Sequence, residues 1–121
     1  MAVDVKQYMY SKGTDTLLDK DFAEAKAYGK VRPGQQTIFW KSGLRWYALP
    51  VTDIQRIYRR REPVIRKLCC GGKSYYIEYL VMVLKNGQEL VVHIGDDIPK
   101  DAEALLAALK EQHPHLQYGK V

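Results

Sequence analysis

Apolar positions alternate most regularly over residues 74–95. Ser74–Lys85 (SYYIEYLVMVLK) reads as a long apolar strand. Gln88–Gly95 (QELVVHIG) reads as its antiparallel partner, with Leu90, Val92 and Ile94 on one face and Glu89, Val91 and His93 on the other. Asn86-Gly87 between them predicts a two-residue type I′ turn. Further on the period changes to that of a helix. Ala102, Leu105, Leu106 and Leu109 recur at i, i+3, i+4 and i+7, Pro99 suits the first turn, and Pro114 stops the element. Such a leucine stripe is expected to lie on the sheet, with Asp96-Asp97 capping the helix N-terminus.

The first half of the chain is less regular. Leu18, Phe22 and Ala25 predict a helix over 14–28 that stops at Gly29, and Arg32-Pro33-Gly34 reads as a turn. Thr37–Trp40 and Leu44–Leu49 predict two strands joined at Ser42-Gly43, with Trp40 and Trp46 facing each other across that hairpin. Pro50 breaks the second strand, and Thr52–Ile54 leads into a strand over Gln55–Arg61. Pro63 either ends that piece or confines it to a sheet edge. Val64–Cys70 reads as a further short strand before a Gly71-Gly72 turn, and the tail after His113 as a short extended piece. The expected fold is α+β and mainly β. About six to seven antiparallel strands curl into a partly open barrel or sandwich, capped by the C-terminal amphipathic helix and preceded by an N-terminal helix.

With 121 residues, 46% hydrophobic and 27% charged, the chain matches one domain: an N-terminal helical extension over 1–30 and a body over 31–121. The net charge of +5 is not spread evenly. Residues 55–73 carry Arg56, Arg59, Arg60, Arg61, Arg66, Lys67 and Lys73 against Glu62 alone, a net +6 that exceeds the whole-chain excess. The basicity is a local patch. No run reaches the roughly 18 apolar residues of a membrane span, and the charged opening Asp4–Lys6 does not read as a signal peptide. Cys69 and Cys70 are adjacent, too close to bridge easily, which points to a reducing, cytoplasmic setting.

Two segments carry a family resemblance. Trp46–Arg59 (WYALPVTDIQRIYR) resembles a strand, then a proline and a small polar-Asp-Ile step, then the next strand. LVMVLKNGQELVVHIGDD followed by EALLAALKEQHP resembles a final hairpin and closing helix. Together they make residues 31–115 similar to bacterial pleckstrin-homology-like (PH-like) domains, a superfold that serves protein, peptide and lipid binding. Lipid-binding members carry basic residues on the first two strands. Lys41 and Arg45 fall there, while Gly43 stands where a basic-x-Arg triplet would need a base.

The residues themselves offer little catalytic chemistry. Ser11, Ser42 and Ser74 lie in no nucleophile elbow. Gly71-Gly72-Lys73-Ser74 ends like a phosphate loop but has Lys67 where the first glycine belongs. Adjacent cysteines with His93, His113 and His115 lack zinc spacing. No enzyme, metal or cofactor is expected. The candidate anion- or partner-binding residues are Lys41, Arg45, Arg56, Arg59, Arg60, Arg61, Arg66 and Lys67, and Trp40, Trp46 and Tyr58 form a candidate aromatic surface. Strand alternation places Arg56, Tyr58 and Arg60 on one face and Ile57, Arg59 and Arg61 on the other, so the same arginines also suit a charged, self-protecting edge strand. The expected function is a non-enzymatic interaction module that binds a protein partner or self-associates. The alternative is peripheral attachment to anionic lipid, with nucleic acid a weaker third.

Overall fold

A computed structural model describes residues 5–13, 15–65 and 74–119. In chain order these form β1 (Met9–Tyr10), α1 (Thr16–Glu24), β2 (Val31–Pro33), β3 (Thr37–Ser42), β4 (Arg45–Pro50), β5 (Ile54–Ile65), β6 (Ser74–Leu84), β7 (Glu89–Asp96), α2 (Pro99–Gln112) and β8 (Gln117–Tyr118). The strands make two four-stranded sheets, ordered β1-β4-β3-β2 and β7-β6-β5-β8. All pairings are antiparallel except β5 with β8. The architecture is α+β, mostly β, and among the described residues the sheets do not close into a barrel. They meet at one corner, where the Lys30 amide donates to the Ile94 carbonyl (2.9 Å).

Between the sheets lies one apolar core. Ile57, Leu80, Met82, Val92 and Ile94 face Val31, Ile38 and Leu49, and α2 seats Ala102, Leu105 and Leu109 against it. These are the alternating positions of the long hairpin and the leucine stripe, except that Leu106 stays half-buried. A second, smaller core lies on the opposite face of the first sheet. There Phe22 of α1 packs edge-on against Phe39 and Trp46, and Tyr10 completes the group. The Arg32 guanidinium sits 4.1 Å from the Phe22 ring centre and donates to the Ala25 carbonyl. Asp21 ties the helix to the β2–β3 turn by accepting from the amides of Gln35, Gln36 and Thr37. Residues of the N-terminal extension therefore cover a face that would otherwise expose aromatic surface.

Several elements differ from the sequence-based expectation. The first helix is shorter: Asp15 caps it, and the chain turns extended at Ala25 instead of running to Gly29. Arg32 and Pro33 belong to β2, and the turn that follows is closed by the Gly34 amide on the Thr37 carbonyl. Gln55–Arg61 and the start of the next predicted strand are one strand, β5, which runs through Pro63. Trp40 and Trp46 do not face each other. Trp40 pairs with Tyr47 and stacks on it in the main core, whereas Trp46 pairs with Lys41 and points to the α1 side. Asn86-Gly87 is not a type I′ turn. Among the described residues, Asp97 is the only non-glycine with positive φ, and the Gly87 amide returns to the Leu84 carbonyl. That pattern is a type I turn with Gly87 (φ +89°) in the left-handed bulge position. The cap of α2 is Ile98, without a side-chain hydrogen bond; Asp97 takes φ +54° just before it.

Two tyrosines tie termini to the body. Tyr10 donates to Asp19, and Tyr118 donates to the carbonyls of Leu109 and His113. Burial, with the Asp19 hydrogen bond second for Tyr10, pushes both hydroxyls up to about 12. Because the folded values lie above the ordinary 10, this stabilisation is intact below pH 10 and is lost as pH rises through about 12. Ultraviolet titration should show two of the nine tyrosines ionising late, with stability falling over the same interval. Tyr10→Phe should remove its share of that fall.

Candidate functional site

β5 carries the basic run, and its position in the sheet decides what the run can do. The Ile57 carbonyl accepts from the Gly119 amide of the C-terminal segment, so it points away from β6. Pairing with β6 is regular from Arg56 to Ile65. Backbone groups alternate sides along a strand, so Arg59, Arg61 and Pro63 also direct theirs to the outer edge. Pro63 therefore lacks an N–H where no bond to β6 would be made, which is why the strand continues through it. Among the described residues, no strand pairs with this edge beyond Ile57.

The arginines split across the two faces as the alternation requires. On the core side, Glu78 of β6 is fully buried and accepts both ends of the Arg59 guanidinium (2.7 Å each) and Arg61 Nε (2.8 Å). The hydrogen bonds from Arg59 outweigh burial and hold the Glu78 carboxyl below the usual carboxylate range. Glu103 of α2 lies 3.7 Å from Arg59 on its other side. On the opposite face Arg60 pairs with Glu62, and Arg56 binds the Gly119 carbonyl and the Gln117 side chain, pinning β8. Arg61 also covers the Tyr76 ring at 4.3 Å. Among the described residues of the cluster, Arg59, Arg60 and Arg61 each reach a carboxylate, and Arg56 reaches neutral oxygens of the C-terminal segment.

Between the β5 edge and α2 runs a groove of about 410 Å³. Tyr58, Arg59 and Arg60 form one wall, Leu106 and Lys110 the other, and Tyr118 with Gly119 closes the end. It offers unpaired backbone groups, an apolar patch and cationic rims side by side.

The remaining candidate residues lie elsewhere. Lys41 and Arg45 are exposed on the β3–β4 hairpin, flanking Leu44, which is 96% exposed at its tip. Trp40 is buried, Trp46 half-buried under α1, and only Tyr58 of the expected aromatic surface lines the groove. Arg66, Lys67, the cysteine pair and the Gly71-Gly72 turn lie outside the described residues. Sequence reasoning missed Glu78, Leu106, Lys110 and Tyr118 as parts of the site. Glu78 had a signal: it is the single acid in the apolar run of β6, opposite an arginine-rich strand.

Among the described residues, no helix is long and apolar enough to cross a membrane. No protein-family model, curated protein or solved structure matches the chain.

Proposed function

We propose that the protein is a non-enzymatic, PH-like interaction module of the bacterial cytoplasm that receives an extended segment of a partner protein along the β5 edge. The observation that carries this reading is the outer edge of β5 at Arg59–Pro63, which no strand among the described residues pairs with and which lies beside the groove under α2. An added strand would gain backbone hydrogen bonds from Arg59 and Arg61, and alternate side chains would enter the space between Tyr58 and Leu106. The chain's own β8 already uses the edge in this way at Arg56 and Ile57. Two mainly antiparallel four-stranded sheets followed by a C-terminal helix support the PH-like reading, and carboxylate partners for Arg59, Arg60 and Arg61 weigh against an electrostatic role.

The test is selection of peptides from a displayed random library on the immobilised protein, followed by affinity measurement on two variants. Arg61→Pro removes the edge-facing N–H and should abolish binding. Arg61→Ala keeps that N–H and should retain it. Equal affinity for both variants would defeat the strand-addition reading.

A second reading rests on Leu44, whose full exposure between Lys41 and Arg45 suits the surface of an anionic bilayer. Salt-sensitive co-sedimentation with anionic vesicles, lost in Leu44→Ser, would support it.

A further inference from the structure

The second sheet has another open edge, at β7. Leu80 and Met82 of β6 pair with Val92 and Leu90. By the same alternation these β7 residues turn their backbone groups inward, and Glu89, Val91 and His93 turn theirs outward. Among the described residues, the one backbone bond made to this edge from outside the sheet is Lys30 N–H to the Ile94 carbonyl, just past His93. A cleft of about 210 Å³ lies along Leu90–His93, with Lys41–Gly43 of the β3–β4 hairpin on its other side. Unlike β5, this edge carries neither proline nor arginine.

The side chains of these residues are arranged symmetrically about Val91. An apolar row, Tyr58–Val81–Val91, crosses the outer face of the sheet and stops at the β7 edge. Val81 is fully buried within it, and Val91 at its end is 44% exposed. Glu89 lies on one side of Val91 and His93 on the other. Lys30 Nζ is 3.2 Å from His93 Nδ1, so the ammonium donates there, and Nε2 carries the proton that His93 gives to Asp96 (2.7 Å). Lys30 and Glu89 form no ion pair among the described residues.

We infer that β7 pairs with β7 of a second copy of this chain, antiparallel, with Val91 on the two-fold axis. The partner that fits this edge is the edge itself. Antiparallel pairing about Val91 sets Val91 against its own copy and Glu89 against His93, with reciprocal bonds from each outward-facing residue, about six in all. The apolar row continues unbroken across the axis. Each Glu89 carboxylate faces the His93–Lys30 pair of the other copy, while Asp96 remains on the far, Nε2 side of the imidazole ring. The two four-stranded sheets become one continuous sheet. Both β5 edges then lie at its ends, so a dimer would present two grooves and bind a repeated partner bivalently.

Sedimentation equilibrium over a concentration series tests the inference. The wild-type chain should dimerise. Val91→Lys, which sets two ammonium groups together at the axis, should be monomeric. Glu89→Lys and Lys30→Glu should each weaken the dimer by roughly tenfold, and the double variant should restore it. The swap tests the pairing even if Val91→Lys fails to fold. A wild-type monomer at every concentration, or a double variant as weak as the singles, would overturn the proposal. Arg61→Pro should leave dimerisation unchanged, which separates this interface from the β5 site.

Discussion

Leu105→Asp should leave the chain unfolded at room temperature. Leu105 is fully buried where α2 meets the core. Truncating a buried leucine costs about 2–5 kcal/mol, and a carboxylate without a partner in that position costs several more. Domains of this size hold only about 5–15 kcal/mol in total. Leu105→Ala loses the packing without burying a charge and should remain folded with a lowered melting point. Leu106→Asp is the informative neighbour: one position along, half-buried and lining the groove, it should fold and lose peptide binding. Circular dichroism melts of the three variants check the order. A native-like melt for Leu105→Asp would mean that α2 is not seated on the sheets as described.

Glu78→Gln should lower stability by about 3 kcal/mol, the usual cost of breaking a buried ion pair from one side. The neutral amide would keep one acceptor oxygen but lose the negative charge that the Arg59 and Arg61 guanidinium groups share, and its NH2 would face an arginine donor. The effect has a defined pH dependence. Arg59 depresses the folded-state value of the Glu78 carboxyl, so its contribution is present above the ordinary 4.5 and is lost as pH falls through the lower folded value. Wild type and variant should therefore differ at neutral pH and converge in acid, as read by urea unfolding at a series of pH values. A constant difference down to the acid limit would assign the loss to packing instead of charge.

The elements visible in the sequence were those with long patterns. The β6–β7 hairpin and α2 show apolar periods sustained over several turns or pleats, and burial of one face is what fixes them in the fold. β1 and β8 are two residues each and contain no period at all. Tyr10 is held by Asp19 and Tyr118 by the end of α2, side-chain contacts five to nine residues away that leave no hydrophobic period in the sequence. Pro63 left a choice between a break and an edge, and only the placement of β8, which stops at the edge position of Ile57, decides for the edge. The site was half visible. Alternation alone separated Arg59 and Arg61 from Arg56 and Arg60. That Arg59 and Arg61 converge on Glu78 depends on register, which brings Arg61 directly opposite it. The groove could not be read from sequence because its second wall comes from a helix far along the chain.

An extended segment added along the outer edge of β5 would pair first with the backbone amides of Arg59 and Arg61. In a nuclear magnetic resonance titration with a selected peptide, both amides should shift and become protected from hydrogen exchange as they enter a new ladder. Leu106 and Lys110 should shift with them, and Lys41–Arg45 should stay unchanged. Binding that shifts the β3–β4 hairpin and leaves the Arg59 and Arg61 amides exchanging as in the free protein would place the partner away from the β5 edge.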